Sequence, residues 1–482
     1  MKDKCNFRLT LSKLGAVLCS ALVCATAIPA QANTITVTNT DDSGPGSLRQ
    51  AIADTNDGDT VNFDVSLKGQ TIALTSDELV VEKSITIIGP GSDQLAVSAD
   101  MQYFRIFHVM GGPTVTIEGL TIGPSYAYYG CGILNDQAIL TVSNCSLNRN
   151  VGLQFAAGLS NGGTLTIVNS TLTGNSLLYQ GDGPGISNSG TLIINDSIIS
   201  GNIAGKGYTN GGGICSSGML EIINSTVSGN SVSTSGGGIY NTGVAVITSS
   251  TISGNFAGGG YPFPNGPGAG GGISNVGTLT IINSTISGND VLTTDKGAGC
   301  GGGVANSGQF HIASTTISNN SATNGGAICN GATLEIGNTI LNTGAEGSNI
   351  FNDGGTITSL GYNLSRDDSG GYLTAPGDQV NTNPILGPLE DNGGPTRTHR
   401  PYPGSPAIDA GDPSFTPPPL YDQRGPGFDR VVNGRIDIGS FEVQEAKPPP
   451  LSPTPTPTPT STPRPIPTPR SRPTPPPRPT LR

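Results

Sequence analysis

The sequence predicts an all-β chain, a right-handed parallel β-helix with three short strands per coil, a short N-terminal capping helix and a C-terminal capping domain. Three observations predict it. First, VGTLTIINSTISGN (276–289) recurs as GGTLTIVNSTLTGN at 162, SGTLIINDSIISGN at 189, SGMLEIINSTVSGN at 217 and SGQFHIASTTISNN at 307. The closing Asn falls at 150, 175, 202, 230, 255, 289 and 320, so the period is 25 to 34 residues, which is that of a solenoid. Second, apolar residues alternate within each copy. Leu279, Ile281 and Ile286 point one way and Thr278, Thr280, Thr285 and Ser287 the other, which is a strand period and not a helix period. Third, Gly is 72 of 482 residues and charged residues are 12%, a composition of short strands and tight turns, with the Gly set among regularly spaced aliphatics.

Taken in chain order, residues 1–32 read as a signal peptide. Lys2, Lys4, Arg8 and Lys13 precede the apolar run LGAVLCSALVCATAI, and AQA at 30–32 is a small-residue cleavage site. The run is short for a membrane span, and none is expected after signal removal. Residues 33–125 supply a cap and the first irregular coils. In SLRQAIADTN (47–56), Ser47 can cap a helix whose Leu48 and Ile52 share one face. Residues 126–345 are the regular coils. Each has a GI-x-N strand, a Gly turn, a TLTI-like strand, an Asn or Ser bend and an STIS-like strand ending in Gly-Asn. Asn169, Asn195, Asn224 and Asn283 are expected to share that bend and to stack inward as an amide ladder. The repeat decays past Gly344. Residues 346–445 hold the last coils and a Pro-, Asp- and Gly-rich region expected to fold back over the C-terminal end. Residues 446–482 are a Pro/Thr-rich, polyproline-like, disordered tail with five Arg and no acid.

Charge narrows the partners. Residues 33–447 carry 14 basic and 33 acidic side chains, a net −19, which argues against nucleic acid, anionic membranes and acidic polysaccharides. The five cysteines after the signal (Cys131, Cys145, Cys215, Cys300, Cys329) are odd in number and scattered. They read as small buried residues, neither a disulfide framework nor a metal site. Cys215 and Cys329 share a repeat position but lie more than one coil apart.

Three stretches carry a resemblance. TVTNTDDSGPGSLRQAIADTNDGDTVNFD (36–64), followed by QTIAL and SITIIGPG, resembles the CSLREA/CSLREP-type segment of bacterial surface proteins. The GGGI-x-N and STISGN coils resemble the polymorphic outer-membrane protein type of β-helix. NPILGPLEDNGGPTRTHRPYPGSPAIDAGD with DQRG and RIDIGSFE (383–442) is similar to the choice-of-anchor Q domain. The resemblance implies export, a β-helix and a surface or extracellular role, with no defined catalytic residues. No sorting motif, membrane helix or outer-membrane barrel is recognised after the Q-like region, where the Pro/Thr tail stands.

Chemistry was sought among outward residues. Lyase or hydrolase work needs acids converging from adjacent coils. Outward strand positions are Thr and Ser instead, and the coil acids (Asp136, Asp182, Asp196, Glu221, Asp290, Asp295, Glu335) are scattered, with Asp196 and Glu221 nearest to a pair. No catalytic or metal residue is assigned, and no cofactor. His108, His311 and His399 share no ligand spacing, and His311 reads as a solvated strand residue. Asp409, Asp412, Asp422, Asp429 and Asp437 offer oxygen ligands of the kind calcium takes, but their spacing fits no calcium loop, and turn capping is the simpler account. The loops after Gly-Asn vary in length and carry Tyr126, Tyr128, Tyr129, Phe155, Tyr179, Tyr208, Tyr261 and Phe263. These rings either fold back over Gly or line a recognition surface on one side of the tube. The reading reached is an exported, surface or secreted, non-enzymatic adhesin or polysaccharide-binding scaffold. Its partner would be an extracellular polysaccharide or a host or neighbouring cell surface. A polysaccharide-degrading enzyme with a loop-built site is the first alternative, and a purely structural envelope component the second.

Overall fold

Copies of one short sequence stack on one another because each offers its neighbour the same backbone edge. The computed structural model describes residues 32–444 apart from 100–101, 205–206, 259–268, 293–297, 343 and 345. The signal segment, the Pro/Thr tail, and Tyr261 and Phe263 lie outside the described residues. Residues up to Val443 belong to one unit, a right-handed parallel β-helix of about 12 turns. The coil of Gly270 shows the plan. Ile273–Asn275 lies in sheet I, Thr278–Ile282 in sheet II, Thr285–Ser287 in sheet III and Asp290–Val291 in sheet IV. Sheets I, II and III have 11, 13 and 12 strands, and every neighbour within them is parallel and in register with its repeat equivalent, as Thr278–Ile282 is with Gln309–Ala313. The three predicted strands are thus present. Sheet IV, with seven strands, is an addition built from the segment after Gly-Asn.

Leu, Ile and Val of sheets I to III form one continuous core along the tube. Ala157, Leu177, Ala204, Val232 and Ala257 form a second, thin core under sheet IV. The glycine triplets allow this second layer. A Cβ on Gly271 would sit 2.6 Å from the Asp290 carbonyl oxygen, so only Gly lets the strand leading into sheet I lie against sheet IV. At the N-terminal end the helix Leu48–Asp54 forms as expected. Ser47 accepts the Gln50 N–H, and Leu48, Ala51 and Ile52 are buried against the first coils.

The buried asparagine ladders are not where the sequence reading put them. Asn169, Asn224 and Asn283 occupy the bend after sheet II with φ of 45°, 49° and 55°; in the coil between the first two, Asp196 takes that place, and Asn195 lies one residue earlier, level with Val168. The left-handed bend turns its own side chain outward and the next residue inward. Ser170, Ser197, Ser225, Ser250 and Ser284 therefore make the inward file, each hydroxyl accepting the backbone N–H of the previous coil's equivalent residue, as Ser197 does from Ser170 at 3.1 Å. Two true amide ladders run elsewhere. One is the closing Asn itself, from Asn150 to Asn320, in which Asn202 donates from its backbone N–H (3.0 Å) and from Nδ2 (2.9 Å) to Asn230 Oδ1. The other is the Asn of GI-x-N, from Asn135 to Asn352, with Nδ2 to Oδ1 distances of 2.7–3.0 Å.

Ser216 interrupts that second ladder. It accepts from Asn188, but nothing reaches the buried Asn241 Oδ1 in the next coil. Ser216→Asn is expected to supply the missing donor and to stabilise the fold by about 1 kcal/mol, read as a higher urea midpoint. An unchanged or lower midpoint would show that the coil cannot accept the amide.

The cysteine reading also needs correction. Cys300 and Cys329 form a disulfide, with Cα atoms 5.6 Å apart. Cys300 stands just before a Gly turn and Cys329 at the centre of the next coil's sheet I strand, so residues 29 apart in sequence are neighbours in space. Cys131, Cys145 and Cys215 remain thiols, and burial pushes them up to about 12, 11 and 12.

The C-terminal region lies along the flank of the solenoid. The end of the tube is closed by residues 366–379, which place Leu373 in the core and pair Gln379 with Ser365. Residues 383–443 instead run back over the outer face of sheet III. A hairpin of Leu386–Glu390 and Thr398–Pro401 leads in. Gln423 Nε2 donates to Thr251 Oγ1 (2.9 Å) and its Oε1 accepts from Thr285 (2.6 Å). The Ser440 N–H donates to Thr316 Oγ1, and the Asp412 N–H to Asn338. The outward Thr and Ser of four late coils are thereby buried. Among the described residues no helix is long and apolar enough to cross a membrane.

Candidate functional site

The aromatic residues of the Gly-Asn loops come together at the turn between sheet IV and the next Gly segment. Tyr129 is in register with Phe155. The Tyr179 N–H donates to Leu153 O in the preceding coil, and Gly207, beside Tyr208, approaches Gln180 in the coil before it. Tyr103, which the sequence reading missed because it precedes the regular repeat, extends the row at the other end. Its ring meets Tyr126 edge-on, centroids 5.1 Å apart. Five successive coils thus each present a ring: Tyr103, Tyr129, Phe155, Tyr179 and Tyr208. With Tyr128, these rings are between 46% and 76% exposed, while Tyr126 is half-buried beneath them. The rings do not fold back over Gly. The Tyr126 hydroxyl is held above its usual range, first by burial and then by the neighbouring Tyr103 and Tyr179.

A charged cluster adjoins the row. Glu78 accepts His108 Nδ1–H at 2.9 Å and faces Arg105 Nε at 2.9 Å, and the Arg105 guanidinium lies over the Tyr129 ring at 4.9 Å. Arg49 fixes the loop beneath by donating to the carbonyls of Asp77 and Glu78 and to Asp42. A cavity of about 400 Å³ opens there between the helix and the second coil, lined by Arg49, Ile52, Glu78, Val81 and Lys83. Sequence reading missed these residues because they are 30 apart in the chain and outside the regular coils.

The acids do not converge on any groove. Glu221 is level with Ile193 and Val246, and Asp196 stands at the bend three residues from Ile193, so the nearest pair is not a pair. Asp182 is engaged by the Asn210 N–H (2.7 Å) and Nδ2, and burial raises it. His311 faces Glu335 across one strand at 3.4 Å, half-exposed. His399 is buried at the flank contact. Its Nδ1–H donates to Gly387 O and its Nε2 accepts from Ser287.

Among the described residues, Asp409, Asp437 and Glu442 form the one set of three acids close enough to share an ion. They already have work. Asp437 accepts the N–H groups of Asp409 and Val443, and Glu442 accepts those of Val432 and Asp437, beside the fully buried Arg430. Asp422 is forked by Arg424, and Asp412 caps the turn at Ser414. Turn capping and internal pairing account for these acids without a metal ion.

Burial, reinforced by Asp437, pushes Glu442 up to about 8, and burial pushes Asp437 up to about 6. Stability from a raised acid is present below its unfolded value and is lost as pH rises to the folded one. For Asp437 that window closes near pH 6, and for Glu442 it runs on to about 8. His399 is lowered by burial, so its contribution is lost only as pH falls below its ordinary 6.5. Between pH 6.5 and 8 the Glu442 contribution therefore stands apart. The melting temperature is expected to fall across that interval, to level off above it, and to fall less in Glu442→Gln. A flat profile in the parent chain would refute the assignment.

No protein-family model matches the chain. No curated protein matches it either. Among solved structures, the crystal structure of pectate lyase Pel9A is similar at 15% identity and a TM-score of 0.46, covering 86% of this chain and 96% of that one.

Proposed function

We propose that this chain is an exported surface or secreted β-helix that holds a polysaccharide on the row of rings from Tyr103 to Tyr208, and that it does so without cleaving it. The observation that carries this reading is the exposure of the row: large rings kept in solvent on five successive coils, where an undecorated solenoid would carry Thr and Ser. Such rings are platforms for the apolar faces of sugars, and the phenol hydroxyls reach the sugar edges. Export is supported by the basic, apolar and small-residue order of residues 1–32, and a surface role by the resemblance of 36–442. The non-catalytic reading is supported by Glu78, the acid beside the row, whose two oxygens face His108 and Arg105.

The test is binding of the mature chain to a panel of polysaccharides in affinity gels, with release of reducing ends followed in parallel. Retardation is expected with at least one polymer and without reducing-end release. In the Tyr129→Ala/Phe155→Ala double variant the affinity is expected to drop about tenfold or more, since each stacked ring is worth about 1 kcal/mol. Sustained cleavage would replace this reading by the enzymatic one. Retardation unchanged in the double variant would move the site off the row.

A further inference from the structure

The row has a direction and a spacing, and both constrain the ligand. Its rings sit one per coil because each is placed by the same turn of the repeat. Parallel strands set successive coils about 4.8 Å apart, so four coil steps from Tyr103 to Tyr208 span roughly 19 Å along the solenoid axis. In-register pairing holds the row straight. Sheet IV keeps Val151 on Ser176, Ser176 on Ile203 and Ile203 on Ser231 without a shift, and the one irregularity lies between Ala127 and Tyr129.

Resting on the polysaccharide-binding reading, we infer that the ligand is an extended, uncharged glycan that lies parallel to the solenoid axis with one sugar ring to each coil. The coil rise is close to the length of one pyranose unit in a stretched β-1,4-linked chain. Successive sugars of such a chain meet successive rings without bending. An α-1,4-linked chain coils and would leave a straight row after one or two contacts. Charge points the same way. The folded part carries a net −19, which repels polyanions. Beside the row the Arg105 guanidinium is held between Glu78 and Tyr129, and Asp182 is engaged by Asn210. The described neighbours of the rings thus offer little charge for an ionic sugar. What they offer is amide and hydroxyl, among them Gln154 and Gln180 next to Phe155 and Tyr179.

The experiment measures the affinity of the full mature chain for cello-oligosaccharides of two to six units by calorimetry, with maltooligosaccharides of the same lengths as the contrasting arm. Each added unit is expected to raise the affinity about two- to tenfold up to about five units, after which it levels off. Maltooligosaccharides are expected to gain nothing beyond the second unit. Tyr208→Ala should bring the plateau forward by one unit and leave the dimer's affinity unchanged, a readout that general loss of fold would not give. Affinity that does not grow with length in the β-linked series would overturn the axial arrangement. If the polymer panel is still retarded, the binding reading survives that result. Equal growth in both series would overturn the extended-chain selection. Absence of binding to every oligomer and every polymer would overturn both.

Discussion

Asn230→Ala is expected to cost the chain about 4 kcal/mol or more, among the largest losses a single side chain here can cause. The residue is fully buried and sits in the middle of the closing-Asn ladder. Its Oδ1 accepts both the N–H and the Nδ2 of Asn202. Its Nδ2 donates to Ile199 O and Asn255 Oδ1, two coils apart. Alanine leaves the Asn202 donors and the Ile199 carbonyl without partners in a dry interior, and each such group costs about 1–3 kcal/mol. Stacking makes matters worse, because a coil is stable only through its neighbours, so the defect interrupts the array. The urea midpoint, followed by far-UV circular dichroism, checks this. Asn169→Ala is the control. That side chain is exposed at a left-handed bend, and its loss should cost only about 1 kcal/mol. Equal losses at the two positions would mean that the ladder contributes nothing.

The two asparagines also show what the sequence made legible. The alternation Leu279–Ile281 and the constant spacing of the closing Asn are local patterns repeated many times, so strand period, coil period and the N-terminal helix could all be read from them. Which asparagine points inward could not. An Asn beside a turn has two uses, satisfying its neighbours inside or tolerating a positive φ outside, and single residues decide between them. Asn195 and Asn169 align by residue type and differ by one position in register. The ring row was half legible. Variable loops with Tyr were visible, but the exposure that separates a platform from a cover depends on sheet IV, whose strands of two residues leave no alternating signature. Cys300 and Cys329 were missed for another reason. Stacking brings together different positions of adjacent coils, and comparing equivalent positions, Cys215 with Cys329, cannot reveal it.

Arg424→Ala is expected to release the C-terminal flank while leaving the solenoid folded. The guanidinium lies between the Phe428 and Phe441 rings at 3.8 and 3.6 Å, forks Asp422 at 3.0 and 2.6 Å, and donates to Glu442 O. Both charged partners are buried, so deleting one strands the other at a cost of about 3–5 kcal/mol. The flank has little else to hold it. Its own apolar cluster is Ile340, Leu364, Ala407 and Ile438, apart from the tube's core, and its contact with sheet III is made of hydrogen bonds such as Gln423 to Thr251 and Thr285. The loss should therefore stay local. Limited proteolysis is expected to cut within 383–443 and to leave a resistant fragment ending near 380, where residues 366–379 still close the last coil. Lysine is no substitute, because it cannot fork the carboxylate or stack between two rings. The double change Asp422→Asn/Arg424→Met removes both charges and should lose less than the single variant. If Arg424→Ala instead unfolds the whole chain in one transition, the flank is part of the cooperative unit, and the solenoid depends on being braced from outside as well as packed within.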